Sequence, residues 1–420
     1  MSFQMRPLVL HTRVISGQGG GPEKTILNSP RFLDDLGFDS QCVYLRHPGD
    51  DGFEIIRQRA QQKRAPLVEV DDFGIKDFGV VKRMRRAVER LLETRESQAR
   101  TVGGEVASRE RSGAPETFES ELATHPSPLA TSASSRLIWH GHDYKSNLIG
   151  LLLRKHFPEM RLATTVHGWV QKTWKTPLYY AIDRWCLSRY EQVICVSRDL
   201  FEDCQRLGVE PSRLSLIDNA IALDDYDFDL PSAEAKTQLG LPTSIQLVAA
   251  VGRLSDEKGF DLLIEATVDL IRQGRDVGLV IAGDGAFRAA LQSQIDASGF
   301  GDRIKLLGFV ADPRVVYRAA DLYVLSSYRE GLPNVVLEAM AMNVPVVSTN
   351  IAGMPDLIDD GENGVMIDVG RADAIHDAVR SLLDAPEKRA RLAEAGRKTV
   401  EERFSFRRRM ERMVEVYGWE

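Results

Sequence analysis

Cysteine is scarce. The four residues present, Cys42, Cys186, Cys195 and Cys204, form neither a CxxC pair nor a zinc-like array. Four is too few to staple 420 residues, so a disulfide framework is excluded and reduced, structural thiols are expected. Long apolar runs are missing too: Leu8-Val-Leu10 follows one basic residue, Arg6, and is far shorter than a signal-peptide core or a membrane span. No later stretch reaches spanning length, which makes a cytoplasmic protein the expectation, with any membrane contact peripheral. Positive charge is not in excess either. The 54 Lys and Arg residues stand against 61 Asp and Glu, and a formal net charge of -7 argues against bulk nucleic-acid binding.

What remains, 43% hydrophobic and 27% charged, is the composition of an ordinary soluble protein. Single cores stop growing at about 250 to 300 residues, so a chain of this length is expected to split into two domains. From Arg6 onward, short apolar runs alternate with glycine-rich or polar turns and amphipathic segments, the pattern of βα units around a parallel sheet. Leu8-Leu10, Leu137-Trp139, Leu162-Val166 and Gln192-Val196 predict strands of a first sheet. A second series follows the acidic stretch Asp224 to Asp229, with strands predicted at Leu247-Val251, Val277-Ala282, Ile304-Leu307, Leu322-Leu325, Val344-Val347 and Val365-Ile367. Two doubly wound α/β domains joined near residue 225 are therefore expected, with ligands beyond the carboxyl ends of the strands.

Two regions break the rhythm. Between about Thr101 and Ser135 the chain turns to Ser, Ala, Thr, Glu and Pro, which bury too little apolar area to offset chain ordering, and a disordered or poorly ordered insertion is expected. Before it, Lys76 to Arg100 places basic residues at helical spacing between apolar ones. Such a helix presents either a solvated face or a surface for anionic lipid or an acidic acceptor. The segment Trp169 to Lys175, with Trp169 and Trp174, admits the same pair of readings: a headgroup interface or packing around an acceptor.

The chemistry-bearing motifs sit in βα loops. Gly252-Arg253-Leu-Ser-Asp-Glu-Lys258-Gly259 follows a predicted strand and precedes the amphipathic run Phe260 to Ile271. Arg offers a planar fork, Lys a point charge and a helix start its N–H groups, a combination suited to a diphosphate. In the second motif, Glu330-Gly331-Leu332-Pro333-Asn334-Val335-Val-Leu-Glu338, Pro333 fits the first position of a helix that carries Glu338 inside it. Two glutamates eight residues apart, partly at about 1.5 Å of rise each, suit separate tasks better than a paired acid and nucleophile. The glycine-rich stretch Gly17 to Gly21 meets neither nucleotide fingerprint: a dinucleotide motif needs glycine where Pro22 stands, and a P-loop needs it at Gln18 and Glu23.

On the Gly252 to Gly259 motif, Gly308-Phe309-Val310 and the Glu330 to Glu338 motif, the chain resembles glycosyltransferase family 4, nearly throughout except about residues 48 to 135. The resemblance implies the GT-B fold: two Rossmann-like domains facing a cleft, residues 1–225 on the acceptor side and 226–402 binding the nucleotide sugar, with 403–420 a terminal helix crossing back. It implies Arg253 and Lys258 at the donor diphosphate, Glu330 at the sugar hydroxyls, Glu338 at the ribose and backbone from Gly308 to Val310 at the base. Gly19, Gly20 and Gly21 would approach the diphosphate, and His167 in Thr165-Val-His-Gly168 the transferred sugar. His142 in His140-Gly-His-Asp143 and Trp169 would lie on the acceptor side. The implied reaction is retaining and metal-independent, with a UDP- or GDP-sugar as donor substrate, no cofactor, and a glycan or lipid-linked acceptor. A non-catalytic nucleotide-sugar sensor and a nucleotide-sugar epimerase on the same fold are the alternatives. Asp225-Tyr-Asp-Phe-Asp229 reads as linker rather than metal clamp, and Ile217-Asp-Asn-Ala-Ile221 departs from the family's Pro-Asn-Gly near the hinge.

Overall fold

A computed structural model describes residues 5–17, 19–74, 77–111, 136–168 and 176–418, with backbone alone for 100–111 and 176–179. The chain forms two compact units. One comprises Met1–Cys195, Leu200–Leu216 and Met410–Glu420, the other Val196–Asp199 and Ile217–Arg409. The division falls at Ile217 rather than near 225, and the return at Met410 rather than Arg403.

The first unit is built on seven parallel strands: β1 Leu8–Ile15, β2 Asp39–Arg46, β3 Leu67–Asp71, β4 Leu137–Gly141, β5 Arg161–Val166, β6 Gln192–Cys195 and β7 Leu214–Leu216. Their order across the sheet, β3-β2-β1-β4-β5-β6-β7, reverses its winding between β1 and β4. Open α/β sheets bind ligands outside the carboxyl ends of the strands at such a reversal. Helices cover both faces, so the central strands read as apolar runs; Leu8, Val9 and Leu10 of β1 and Leu137, Ile138 and Trp139 of β4 are buried.

The helix Val80–Arg111 buries Val80, Met84, Val88 and Leu92, every fourth residue, in the core of this unit. Three of its basic residues have acidic partners: Arg83 meets Asp77, Arg85 lies 3.4 Å from Glu89, and Arg95 meets Asp39 of β2. Lys76 lies outside the described residues. The helix continues through 101–111, the first part of the expected insertion; the rest, 112–135, lies outside the described residues.

The second unit has six parallel strands: β8 Gln246–Val251, β9 Val277–Ala282, β10 Ile304–Gly308, β11 Leu322–Leu325, β12 Val346–Thr349 and β13 Val365–Ile367. In the order β10-β9-β8-β11-β12-β13 the winding reverses between β8 and β11. Every residue of β9 is buried, as a parallel strand covered on both faces requires. The helix Phe260–Arg272 turns Phe260, Leu263, Ile264, Thr267, Val268 and Ile271 onto the sheet at three- and four-residue steps.

Candidate active site

The two motifs singled out in the second half of the chain are the loops that leave β8 and β11, the neighbouring strands at that unit's winding reversal. Between them Lys258 Nζ forms an ion pair with Glu330 Oε1, and Ser327 Oγ donates to the same oxygen at 3.1 Å. Their side chains are 14% and 19% exposed, so the pair is shielded enough to hold its geometry yet open on one side. Arg253, nearby in the β8 loop, is 48% exposed and reaches Glu257 at 2.5 Å. That pair is solvent-screened and easily exchanged for another anion.

Close backbone approach explains the glycines. Gly259 adopts φ +60 and closes the turn before the helix Phe260–Arg272; a Cβ there would lie 2.3 Å from the Ser326 carbonyl oxygen in the β11 loop. Gly353, at φ +82, brings a third loop equally near the Gly331 carbonyl, 2.5 Å from a hypothetical Cβ. Gly283 is tightest, its Cβ position falling 1.8 Å from the Gly252 carbonyl. Only glycine lets these loops stack this closely.

Pro333 caps the helix Asn334–Ala341 rather than occupying its first turn, one residue off the expected place. Leu332 is buried, Gly331 is exposed, and Asn219 Nδ2 donates to the Leu332 carbonyl at 3.0 Å. Val335 is half-buried on the helix. Glu338 is only 1% exposed: Tyr317 donates to its Oε2 at 3.0 Å, and Tyr226 also hydrogen-bonds it. Burial, reinforced by the carboxylate, pushes both tyrosines well above their ordinary range, so they remain donors at any physiological pH. Gly252 ends β8. At the end of β10, Gly308 adopts φ +74, Phe309 is 45% exposed and Val310 is half-buried.

In the first unit the glycine-rich loop leaves β1. Gly17 N–H donates to Asp50 Oδ2 at 2.7 Å, Gly19 has φ +69, and the Gly20 N–H donates to Glu23. Glu23 is 1% exposed and 2.8 Å from Arg13. The residue that spoils a P-loop pattern thus occupies an N–H at the start of the helix Gly21–Asp35. Asp143 caps the helix Tyr144–Leu153, accepting from the Lys145 and Ser146 N–H groups at 2.9 Å, and burial raises its pKa.

Sequence reasoning did not anticipate that four histidines would meet where the carboxyl ends of β4 and β5 lie beside the middle of β1. His11 Nδ1 is 3.2 Å from His142 Nε2, and His142 Nδ1 is 3.0 Å from His167 Nε2. His140 stacks on His142 with centroids 4.5 Å apart and planes 10° from parallel. Its nitrogens are taken by Tyr417 Oη at 2.7 Å and Thr165 Oγ1 at 2.8 Å. Burial, then the neighbouring His140, His167 and His11, holds the His142 pKa well below the usual imidazole value. The signal for this group was His140-x-His142: residues two apart at a strand's end point the same way. His11 offered no local cue.

Ligand atoms of His11, His140 and His142 lie within 4.8 Å of one another, close enough to suggest a metal. The ring geometry does not fit one ion: near-parallel stacked rings aim their lone pairs alongside each other, and His140 already has a partner at each nitrogen. Trp169 lies outside the described residues.

Two doubly wound parallel sheets, each with polar loops at its winding reversal, define the GT-B class of fold. Solved structures of the same fold include HepE of Anabaena in complex with UDP-glucose, with TM-score 0.73, 17% identity and 98% and 99% of the two chains covered. Sucrose-phosphate synthase of Thermosynechococcus elongatus gives TM-score 0.69 and 18% identity, covering 98% of each chain. The family glycosyl transferases group 1 matches residues 232–399, and glycosyltransferase family 4 matches 134–225. The chain belongs to glycosyltransferase family 4. Among curated relatives, alpha-D-kanosaminyltransferase of Streptomyces kanamyceticus is 40% identical over 40% of this chain and 44% of its own length. The lipopolysaccharide core biosynthesis glycosyltransferase LpsE of Rhizobium meliloti is 36% identical over 40% and 49%. The chain thus spans about half the length of these relatives. Among the described residues, no helix is long and apolar enough to cross a membrane.

Proposed function

We propose that this protein is a retaining glycosyltransferase that moves a hexose or N-acetylhexosamine from a UDP- or GDP-sugar to a glycan or lipid-linked acceptor. The observation that carries the reading is the Lys258–Glu330 pair, held by the neighbouring loops of β8 and β11 where the sheet reverses its winding. A donor diphosphate exchanges with Glu330 for Lys258, and Arg253 gives up Glu257 to join it. Glu330, kept in place by Ser327, is then left to accept hydrogen bonds from sugar hydroxyls. Both cations stand ready for the negative charge that grows on the departing phosphate, and preorganised charge of this kind is the largest single contribution in many enzymes. In this reading the cations, not a metal, take that charge. The names of the relatives and the UDP-glucose complex of HepE support a nucleotide-sugar donor.

Glu330→Ala and Lys258→Ala are each expected to lower transfer by at least about a hundredfold, the scale of losing one charge-stabilising group, while the far-UV spectrum stays that of the wild type. Wild-type turnover in either variant rules the site out. Slow hydrolysis of donor supplied without acceptor separates an enzyme from a sensor, which would bind without turnover; interconversion of nucleotide sugars without acceptor would instead mark an epimerase.

A further inference from the structure

We propose that His11, His142 and His167 form one protonic unit, a file of three imidazoles holding at most one excess proton, in which His11 and His142 are positioning residues that set the protonation of His167. The proposal rests on the reading that His167 serves the donor sugar; its proton count does not.

The limit follows from the hydrogen bonds. A neutral imidazole carries one N–H and an imidazolium two. His142 faces His11 across 3.2 Å and His167 across 3.0 Å, and each of these contacts accommodates one proton, not two. One proton in each contact and one on each terminal nitrogen make four, a single proton more than three neutral rings hold. A second excess proton would set two N–H groups against each other, with no lone pair between them. Geometry thus forbids what three independent histidines would do in acid.

The file also has a direction. His11 and His142 are 2% and 5% exposed, whereas His167 is only half-buried, so exchange with solvent runs through His167. Around it stand Arg13 from β1, paired with Glu23, and His140 from β4, tied to Tyr417 of the last helix and Thr165 of β5. Asp143 is committed to the N–H groups of Val14, Lys145 and Ser146, and the nearby Asp183 accepts from Asn147 at 2.8 Å. These carboxylates are already engaged, and Arg13 opposes further positive charge.

When the excess proton rests on His11 or His142, His167 accepts at Nε2 and carries its own proton on Nδ1. When it rests on His167, both nitrogens carry one. A charged file therefore always carries a proton on His167 Nδ1, which makes that nitrogen a donor and not a base.

The test is a histidine-selective 15N NMR titration of the full chain between about pH 5 and 8, the range in which histidine changes charge. In the wild type the three rings should together take up no more than one proton; two of them fully cationic at once overturns the file. In His142→Phe the contacts are cut, and the His167 titration should move away from its wild-type midpoint. A His167 midpoint equal to the wild type's overturns the positioning role. Should that variant fail to fold, the wild-type count still decides. The pH profile of UDP-glucose hydrolysis should shift with the His167 midpoint, and an unchanged profile in His142→Phe counts against the positioning role. Because the proton count uses no substrate, it stands apart from the glycosyl-transfer reading, which a wild-type enzyme inert toward every donor would sink on its own.

Discussion

Single residues set how closely the loops around Lys258 approach. Gly259 shows the principle: its left-handed backbone costs an L-residue about 1–2 kcal/mol, and a methyl group would meet the Ser326 carbonyl at 2.3 Å. Gly259→Ala is therefore expected to destabilise the protein by at least about 1–2 kcal/mol and to weaken turnover by pushing the β11 loop away; a urea midpoint equal to the wild type's contradicts this. Lys258, Glu330 and their glycines were legible in the sequence because each lies in a contiguous motif at the end of an apolar run. Tyr226 and Tyr317 were not, since no spacing links them to the glutamate they hold, and Ser327, three residues before Glu330, carries no motif of its own. Glu338, expected at the ribose, is enclosed by Tyr317, 21 residues earlier, and by Tyr226 from much earlier in the chain.

At the scale of elements, the edge of the first sheet depends on a charge cluster that spacing does not announce. Glu69 of β3 accepts from Arg57, in the helix Glu54–Lys63, at 2.7 Å and from Arg46 of β2 at 2.5 Å. The Arg57 hydrogen bond, helped by Arg46, holds its carboxyl below the ordinary 4.5 despite partial burial. A carboxyl whose folded pKa is depressed contributes stability above its unfolded value and loses it as the pH falls through the folded one. Acid should therefore loosen this edge below about pH 4.5, and in Glu69→Gln that part of the acid dependence should vanish from thermal melts, with a lower melting temperature at neutral pH. Identical slopes of melting temperature against pH would contradict it. Most strands legible in the sequence are buried on both faces and hence apolar, while β10 and β13 are legible as short apolar runs although largely half-buried. β2 opens on the polar Asp39, Ser40 and Gln41 before its apolar run Cys42 to Leu45, β3 carries Glu69 and Asp71, and Ser215 interrupts the three residues of β7, so the apolar signal of each is shortened or broken. The helix Val80–Arg111 was legible from its four-residue stripe, but how far it reaches into the Ser- and Glu-rich region was not, because that part lacks an apolar repeat.

For the molecule as a whole, the division into two units followed from length and from the doubled βα rhythm, whereas the place of division did not. Ile217 bonds Arg409 through its carbonyl at 2.9 Å, while Ile221 donates to the Phe404 carbonyl at 2.9 Å and accepts from Phe406 N–H at 2.9 Å. These partners, nearly two hundred residues later, bind the 217–221 segment into the second unit, and no local pattern foretells such a pairing. If that unit holds the donor, as proposed, a ligand that binds only the folded state stabilises the protein by about 2.7 kcal/mol at 100 times its dissociation constant. Thermal melts against a panel of UDP- and GDP-sugars should then show one base and one sugar raising the melting temperature most, and the same donor should shift Lys258→Ala far less. The His142→Phe variant, altered only in the first unit, should keep most of the shift with the bare nucleoside diphosphate. A panel in which no member moves the wild-type transition would remove the donor site from the second unit, whatever its fold.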